Sequence, residues 1–224
     1  QKDLGTALIY YFTALFMYYA YTGNLLMTGV GLLGAAGASV LGYQMFAHVK
    51  KRVAIWQNPW MYYETSGYQI VQMLMAIASG GLFGLGLGKS RQKYLYLPFQ
   101  YNDYIFAILC EELGLVGAMA IVALFAVTIL RGYWIALNAR DRFSTVLAAG
   151  LVTLIAVQTI LNLCVVTNLL PSTGIALPFF SYGGTALAVN LGEMGIVLAV
   201  SRGRYRPKRQ ERRFGLPDQQ EESV

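Results

Sequence analysis

The sequence predicts an all-α integral membrane protein: a polytopic bundle of about five transmembrane helices, with a large extracytoplasmic loop that carries a re-entrant or amphipathic helix. Three observations predict it. Of 224 residues, 56% are hydrophobic and only 12% charged, with a mean hydropathy of +0.49. Soluble domains carry roughly 25% charged residues, so this chain lacks the surface charge of a soluble enzyme, a disordered chain or a nucleic-acid-binding module. The charges that exist are also clustered, and the stretches between them are long enough to cross a bilayer, which takes about 20 mostly apolar residues.

From residue 4 to residue 49 there is no Asp, Glu, Lys or Arg. The polar break Tyr21-Thr22-Gly23-Asn24 divides this stretch into helices of about 4–21 and 25–47, a transmembrane hairpin over residues 1–47. Residues 48–103 form a loop that five crossings place outside the cytoplasm; composition alone leaves a sixth span, with Lys50, Lys51 and Arg52 inside, as the alternative. Within it, 66–88 is uncharged, but it opens with Gln69 and Gln72 and closes with five glycines in nine residues. Glycine disfavours helix by about 1 kcal/mol against alanine, so its second half is expected to be irregular. A short helix, tolerated at membrane depth where protein covers its backbone, is favoured over a sixth span. Residues 104–200 supply three further crossings: 104–130, then two from the charge-free run 143–192, which Pro171-Ser172-Thr173-Gly174 divides. Proline lacks the amide hydrogen and biases the preceding residue away from helix. Residues 201–224 are a basic tail.

Lys and Arg in short loops set orientation. The tail carries seven bases, and the loop 131–142 carries Arg131, Arg140 and Arg142, so both are expected in the cytoplasm and the Pro171 turn outside. Five crossings then start residue 1 outside, which makes the chain read as the C-terminal part of something longer. The tail is expected to lie against anionic membrane lipid. No signal peptide is evident. Cys110, Cys164 and the lone His48 do not make a zinc site, so no structural metal is expected.

Carboxylates inside spans are expensive and mark functional or structural polar networks; Glu111, Glu112 and Glu193 are such groups. Asp103, after Asn102 at a helix start, reads either as an N-cap or as a general base at the outer membrane face. The helix terminus and nearby cations are expected to lower its pKa. Lys50, Lys51, Arg52, Lys89, Arg91 and Lys93 flank the glycine-rich run. They read as a solvated or headgroup-facing surface, or as a cradle for phosphates built with backbone amides.

Five blocks carry a resemblance: QKDLGTAL at 1–8, RVAIWQNPW at 52–60, SGYQIVQMLMAIASGGLFGLGLGKSRQKYLYLP at 66–98, NDYIFAILCEELGLVG at 102–117, and LPSTGIALPFFSYGGTALAVNLGEMGIVLAVSR at 170–202. In that order they resemble the SEDS membrane glycosyltransferases, the family of FtsW, RodA and SpoVE, with wording nearer the division and sporulation branch. The resemblance implies ten helices in the whole protein, of which this chain holds about the last five, and it implies that residues 48–103 are a large extracytoplasmic loop. It implies peptidoglycan polymerisation from lipid II by inversion, with release of undecaprenyl pyrophosphate. Asp103 in NDYIFA falls on the family's proposed catalytic aspartate. Lys50, Lys51, Arg52, Arg91 and Lys93 would stabilise the leaving pyrophosphate, while Asp3, Gln69 and Glu111 would shape or line the substrate site. No cofactor is required, though a divalent cation is compatible with such a leaving group. The implied partners are a class B penicillin-binding protein acting as transpeptidase, other division proteins and membrane lipid, with no nucleic acid. A lipid II transporter and a non-catalytic division scaffold are the competing functions.

Overall fold

The computed structural model describes residues 4–90 and 103–203. Among these it is all helical, with seven α-helices: α1 (Leu4–Thr22), α2 (Leu25–Met45), α3 (Ala47–Gln57), α4 (Tyr68–Gly80), α5 (Ile105–Leu137), α6 (Arg142–Val166) and α7 (Gly184–Arg202). A single 3-10 turn, Pro59–Tyr62, joins α3 to the approach of α4. Four helices, α2, α5, α6 and α7, are long and apolar enough to cross a membrane. With 19 residues α1 has the length of a crossing, but its five tyrosines dilute its hydropathy. The chain is a multi-pass membrane protein.

Local chemistry sets the boundaries. Gly23 adopts φ +65° and its amide closes on Tyr19 O at 2.8 Å, a left-handed cap that glycine takes without steric cost. Asn24 then starts α2, its side-chain oxygen accepting from the amides of Leu26 and Met27. The polar break thus works as a stop and a start in four residues. Asp141 does the same for α6, accepting from the Ser144 amide and hydroxyl. Those bonds hold its carboxyl below the usual range.

Three elements, α2, α3 and α5, differ from the sequence reading, while α4 follows the short helix it favoured. α2 ends at Met45, and Phe46 is extended before α3 begins; the loop opens with a helix that its basic, weakly apolar sequence did not announce. α4 has 13 residues, about 20 Å at 1.5 Å per residue, too short for the competing sixth span. α5 continues to Leu137 instead of stopping at residue 130, with Arg131 kept inside the helix and stacked over Trp134, 5.7 Å from the ring centroid.

The core gathers around the first half of α5, where Phe106, Ala107 and Ile121 meet Met73 and Ala76 of α4, Val166 of α6 and Leu177. A smaller cluster at the far end joins Ala136, Ala148 and Ala149 with Phe16 and Val200. Small residues let the helices approach: a Cβ on Gly132 would stand 2.5 Å from Val152 Cγ2, and one on Gly150 would stand 2.7 Å from Met17 Sδ. No residue of α2 is buried. Its apolar face is compatible only with lipid or another helix.

The contacts also sort the bundle's two ends. Gly5 packs on Thr173, Arg52 bonds Ser172 O and Asn162 bonds Asp103 O. The α1 start, α3, the α5 start and the segment 167–183 therefore share one end. The α5–α6 turn and the α7 terminus lie at the other.

Candidate functional site

Asp103 lies in the turn just ahead of α5, and Tyr104, not Asp103, is the N-cap residue, with no side-chain cap bond. The N-cap reading is thereby set aside. Asp103 O accepts from Asn162 Nδ2 at 2.9 Å, and the same amide group donates to Ile175 O at 2.7 Å. Facing the Asp103 carboxylate is Gly174, at φ +75°, where a Cβ would stand 3.7 Å from Oδ2. Burial raises the carboxyl above its ordinary value, opposite to the lowering expected from the helix terminus and cations. The neighbouring Tyr104 phenol is pushed up to about 12, chiefly by burial and then by Asp103, with Arg52 pulling the other way. Arg52 is therefore close enough to act on this corner.

α3 supplies the grip. Arg52 and Trp56, four residues apart and hence on one helix face, bond the carbonyls of Ser172 and Asn168 at 3.3 and 2.9 Å. Lys50 and Lys51 are exposed on the same helix; three consecutive helical residues fan over about 200°, so the three cations do not share a face. Gln69 is half-buried in the first turn of α4, and no bond joins it to Asp103. Glu111 is only 1% exposed, and its carboxylate accepts from the Ser90 hydroxyl. Asp3, Arg91 and Lys93, like the tail beyond residue 203, lie outside the described residues.

The glycine-rich run has a different use from the phosphate cradle considered above. α5 breaks at Gly114, whose φ +68° and ψ −170° are non-helical, and residues 81–86 fill the gap. Leu85 and Gly86 donate to the carbonyls of Glu111 and Glu112, both at 3.0 Å, while Leu115 and Val116 donate to Gly81 and Leu82 at 2.9 and 3.2 Å. These amides are spent on the helix. The glycines are required by proximity: a Cβ at Gly84 would stand 2.2 Å from Glu112 O, and one at Gly80 would stand 2.0 Å from Cys110 O.

A cavity of about 440 Å³ opens between α1, α6, α7 and residues 174–181, with Gly174 on its wall. Its lining is mostly apolar, with polar groups from Tyr10, Gln158, Asn190 and Glu193, and the buried Oε2 of Glu193 has no hydrogen-bond partner. Neither Asp103 nor Glu111 lines it. A second, apolar hollow of about 330 Å³ lies between α1, α2 and α6, walled by Phe12, Leu15, Leu32 and Val157. Among the described residues, no three His, Cys, Asp or Glu side chains are grouped to hold a metal.

The family model for FtsW, RodA and SpoVE, described as a cell cycle protein, matches residues 1–206. The chain belongs to the FtsW/RodA/SpoVE family. Among FtsW/RodA/SpoVE proteins, it is 44% identical over 204 residues to stage V sporulation protein E of Bacillus subtilis, covering 90% of this chain and 55% of that one. It is 39% identical over 217 residues to the peptidoglycan glycosyltransferase RodA of Mycobacterium tuberculosis (strain ATCC 25618 / H37Rv), covering 97% and 46%. The chain spans about half the length of the curated relatives it matches. Two solved structures share the fold. One is described as the structural coordination of polymerization and crosslinking by a peptidoglycan synthase complex, with a TM-score of 0.75 at 27% identity, covering 92% of this chain and 58% of that one. The other is the rod shape determining protein RodA of Thermus thermophilus, with a TM-score of 0.59 at 26% identity and coverages of 92% and 52%.

Asn162 and Trp56 were not singled out from the sequence, and Gly174 stood there only as part of a turn. A lone amide within a charge-free span was the available signal for Asn162, since membrane helices rarely bury a polar side chain without a bond to make.

Proposed function

We propose that this chain supplies the acceptor-activating part of an inverting glycosyltransferase that joins lipid II disaccharides into peptidoglycan strands, releasing undecaprenyl pyrophosphate. The observation that carries the reading is the placement of Asp103: a partly desolvated carboxylate at the end of a membrane bundle, facing Gly174, which itself lies on the wall of a mixed apolar and polar cavity. Relatives named peptidoglycan glycosyltransferase RodA and probable peptidoglycan glycosyltransferase FtsW support the same chemistry.

In the proposed reaction Asp103 takes the proton from the acceptor sugar's 4-hydroxyl. The hydroxyl oxygen attacks the donor's anomeric carbon as the bond to the pyrophosphate oxygen breaks, with both electrons leaving on the phosphate. Attack from the opposite face turns an α-linked donor into a β-linked product. Because the leaving group is already a weak base, one protein base is sufficient. Arg52, Lys50 and Lys51, with Arg91 and Lys93, are assigned to the developing phosphate charge. Asp3 and Gln69 are assigned to the substrate cavity. Glu111, bonded to Ser90, contributes from beneath by holding the loop. The apolar hollow beside α2 suits the polyprenyl chain.

The Asp103 end faces outside the cytoplasm in this reading, and the α7 terminus faces inside. A class B penicillin-binding protein is the proposed partner, a reading supported by the similarity to a structure described as a peptidoglycan synthase complex. Purified full-length protein incubated with labelled lipid II tests it. Wild type should produce glycan strands, and Asp103→Ala should lower the rate by about 10²–10⁴-fold, the usual contribution of a positioned base. Lipid scrambling that survives Asp103→Ala, without polymer, would make the protein a transporter. Neither activity would leave a scaffold.

A further inference from the structure

We infer that Asn162 is a positioning residue for this site: its side-chain amide sets the spacing between Asp103 and the Gly174 segment. The inference rests on the function proposed above and names a residue that the proposed reaction itself does not use.

Asn162 lies on α6, one turn before the helix ends at Val166, and is 1% exposed. Its two amide hydrogens go to two carbonyls on different segments, Asp103 O at 2.9 Å and Ile175 O at 2.7 Å. With two acceptors in front of it, the amide has only one sensible orientation, since a flipped group would set its oxygen against both carbonyls. The first turn of α5 closes from Ala107 N to Tyr104 O, one residue past Asp103, so the Asp103 carbonyl depends on a side chain. The Ile175 carbonyl belongs to the segment 167–183, which is tied down by side-chain donors: Trp56 at residue 168, Arg52 at 172 and Asn162 at 175. Of these three, only Asn162 also holds Asp103.

Asn162 Oδ1 is buried without a partner. Such an orphan acceptor is destabilising, and a residue that merely packed a helix would be better replaced by leucine. What asparagine provides and leucine does not is a short rigid fork with two donors. It fixes the backbone beneath the carboxylate at one end and the backbone beneath Gly174 at the other. A change in that spacing moves the base relative to the acceptor hydroxyl without removing either.

The test uses full-length protein with labelled lipid II and separates kcat from KM. Asn162→Asp is nearly isosteric but has at most one donor for two carbonyls; Asn162→Ser is the milder change. A misplacement on the order of 1 Å lowers turnover by about 100-fold. Asn162→Asp is therefore expected to lose kcat on that scale with KM changed by less than about threefold, because ground-state binding is untouched. Asn162→Ser should fall between it and wild type. On an Asp103→Glu background, where the carboxylate is already displaced, either change should cost much less than on wild type, a coupling that an unrelated structural role would not produce. A kcat within about threefold of wild type, or strict additivity with Asp103→Glu, would overturn the inference. If Asn162→Asp does not fold, the Asn162→Ser cycle decides alone. Failure of the underlying reading looks different: wild type makes no polymer, or Asp103→Ala keeps full activity.

Discussion

The protonation of Asp103 is decided by a contest between burial and the helix it precedes. The field of a helix terminus fades within its first turn, and Asp103 stands two residues before Ile105 with no cap bond to the amides. Desolvation therefore wins and raises the carboxyl above 3.8. This makes Asp103 a stronger base than the sequence led us to expect. The sign is direct. A base works deprotonated, so activity is present above the raised folded-state pKa and lost as pH falls through it. The acid limb of kcat/KM should therefore have its midpoint above the ordinary carboxylate value, read from polymerisation rates across a pH series. A limb at or below that value would contradict the burial argument. Stability runs the other way: the folded state holds this proton more tightly than the unfolded chain, so its contribution is full below the unfolded pKa and is lost as pH rises through the folded one. Asp103 was legible because a carboxylate stands out in an apolar sequence. Asn162 was not, because counting charges overlooks amides, and its two acceptors come from residues 59 and 13 positions away.

Among the elements, the splice between α5 and residues 81–86 is where the sequence said least about geometry. A lone glycine in an apolar helical pattern is ordinarily tolerated, so Gly114 gave no sign of a break. The five glycines after Ser79 did announce irregular backbone, yet only the fold shows that they complete a helix two turns into α5. The splice makes two glycines unequal. At Gly114 a side chain meets a backbone region that is nearly glycine-only and would stand 2.3 Å from Gly84 N. Gly23 is also left-handed, but nothing lies within 4 Å of its Cβ position. Gly114→Ala is thus expected to destabilise by about 3 kcal/mol or more, combining strain with overpacking, and Gly23→Ala by about 1–2 kcal/mol. Thermal unfolding in detergent compares them. Equal melting temperatures for the two variants would mean that α5 closes its break without the glycine run. α3 escaped the sequence reading for a related reason: its charges and its short apolar face gave no membrane signal, and its role is set by a turn more than 100 residues away.

Across the whole molecule, the placement of cations bears on which end faces the cytoplasm. The described cations do not decide it: Lys50, Lys51, Arg52 and Lys89 lie toward the Asp103 end, and Arg131, Arg140, Arg142 and Arg202 toward the other. What tips the balance is the sequence after residue 203, with Arg204, Arg206, Lys208, Arg209, Arg212 and Arg213 continuing from the α7 terminus. Lys and Arg near span ends favour the cytoplasm, so the Asp103 end is expected on the outside. An even number of crossings between residue 45 and Asp103 is required for α3 and Asp103 to share that end. Among the described residues, the 13-residue α4 is too short to cross and adds none. One labelling experiment in intact cells tests this orientation. Cys110 is buried and Cys164 half-buried; with both replaced by serine, a membrane-impermeant maleimide should react with Lys50→Cys from outside. It should reach Arg140→Cys only after the cells are permeabilised. The reverse pattern would put Asp103 in the cytoplasm, out of reach of lipid II on the outer leaflet, and the proposed polymerase would lose its base even if every contact around Asn162 were correct.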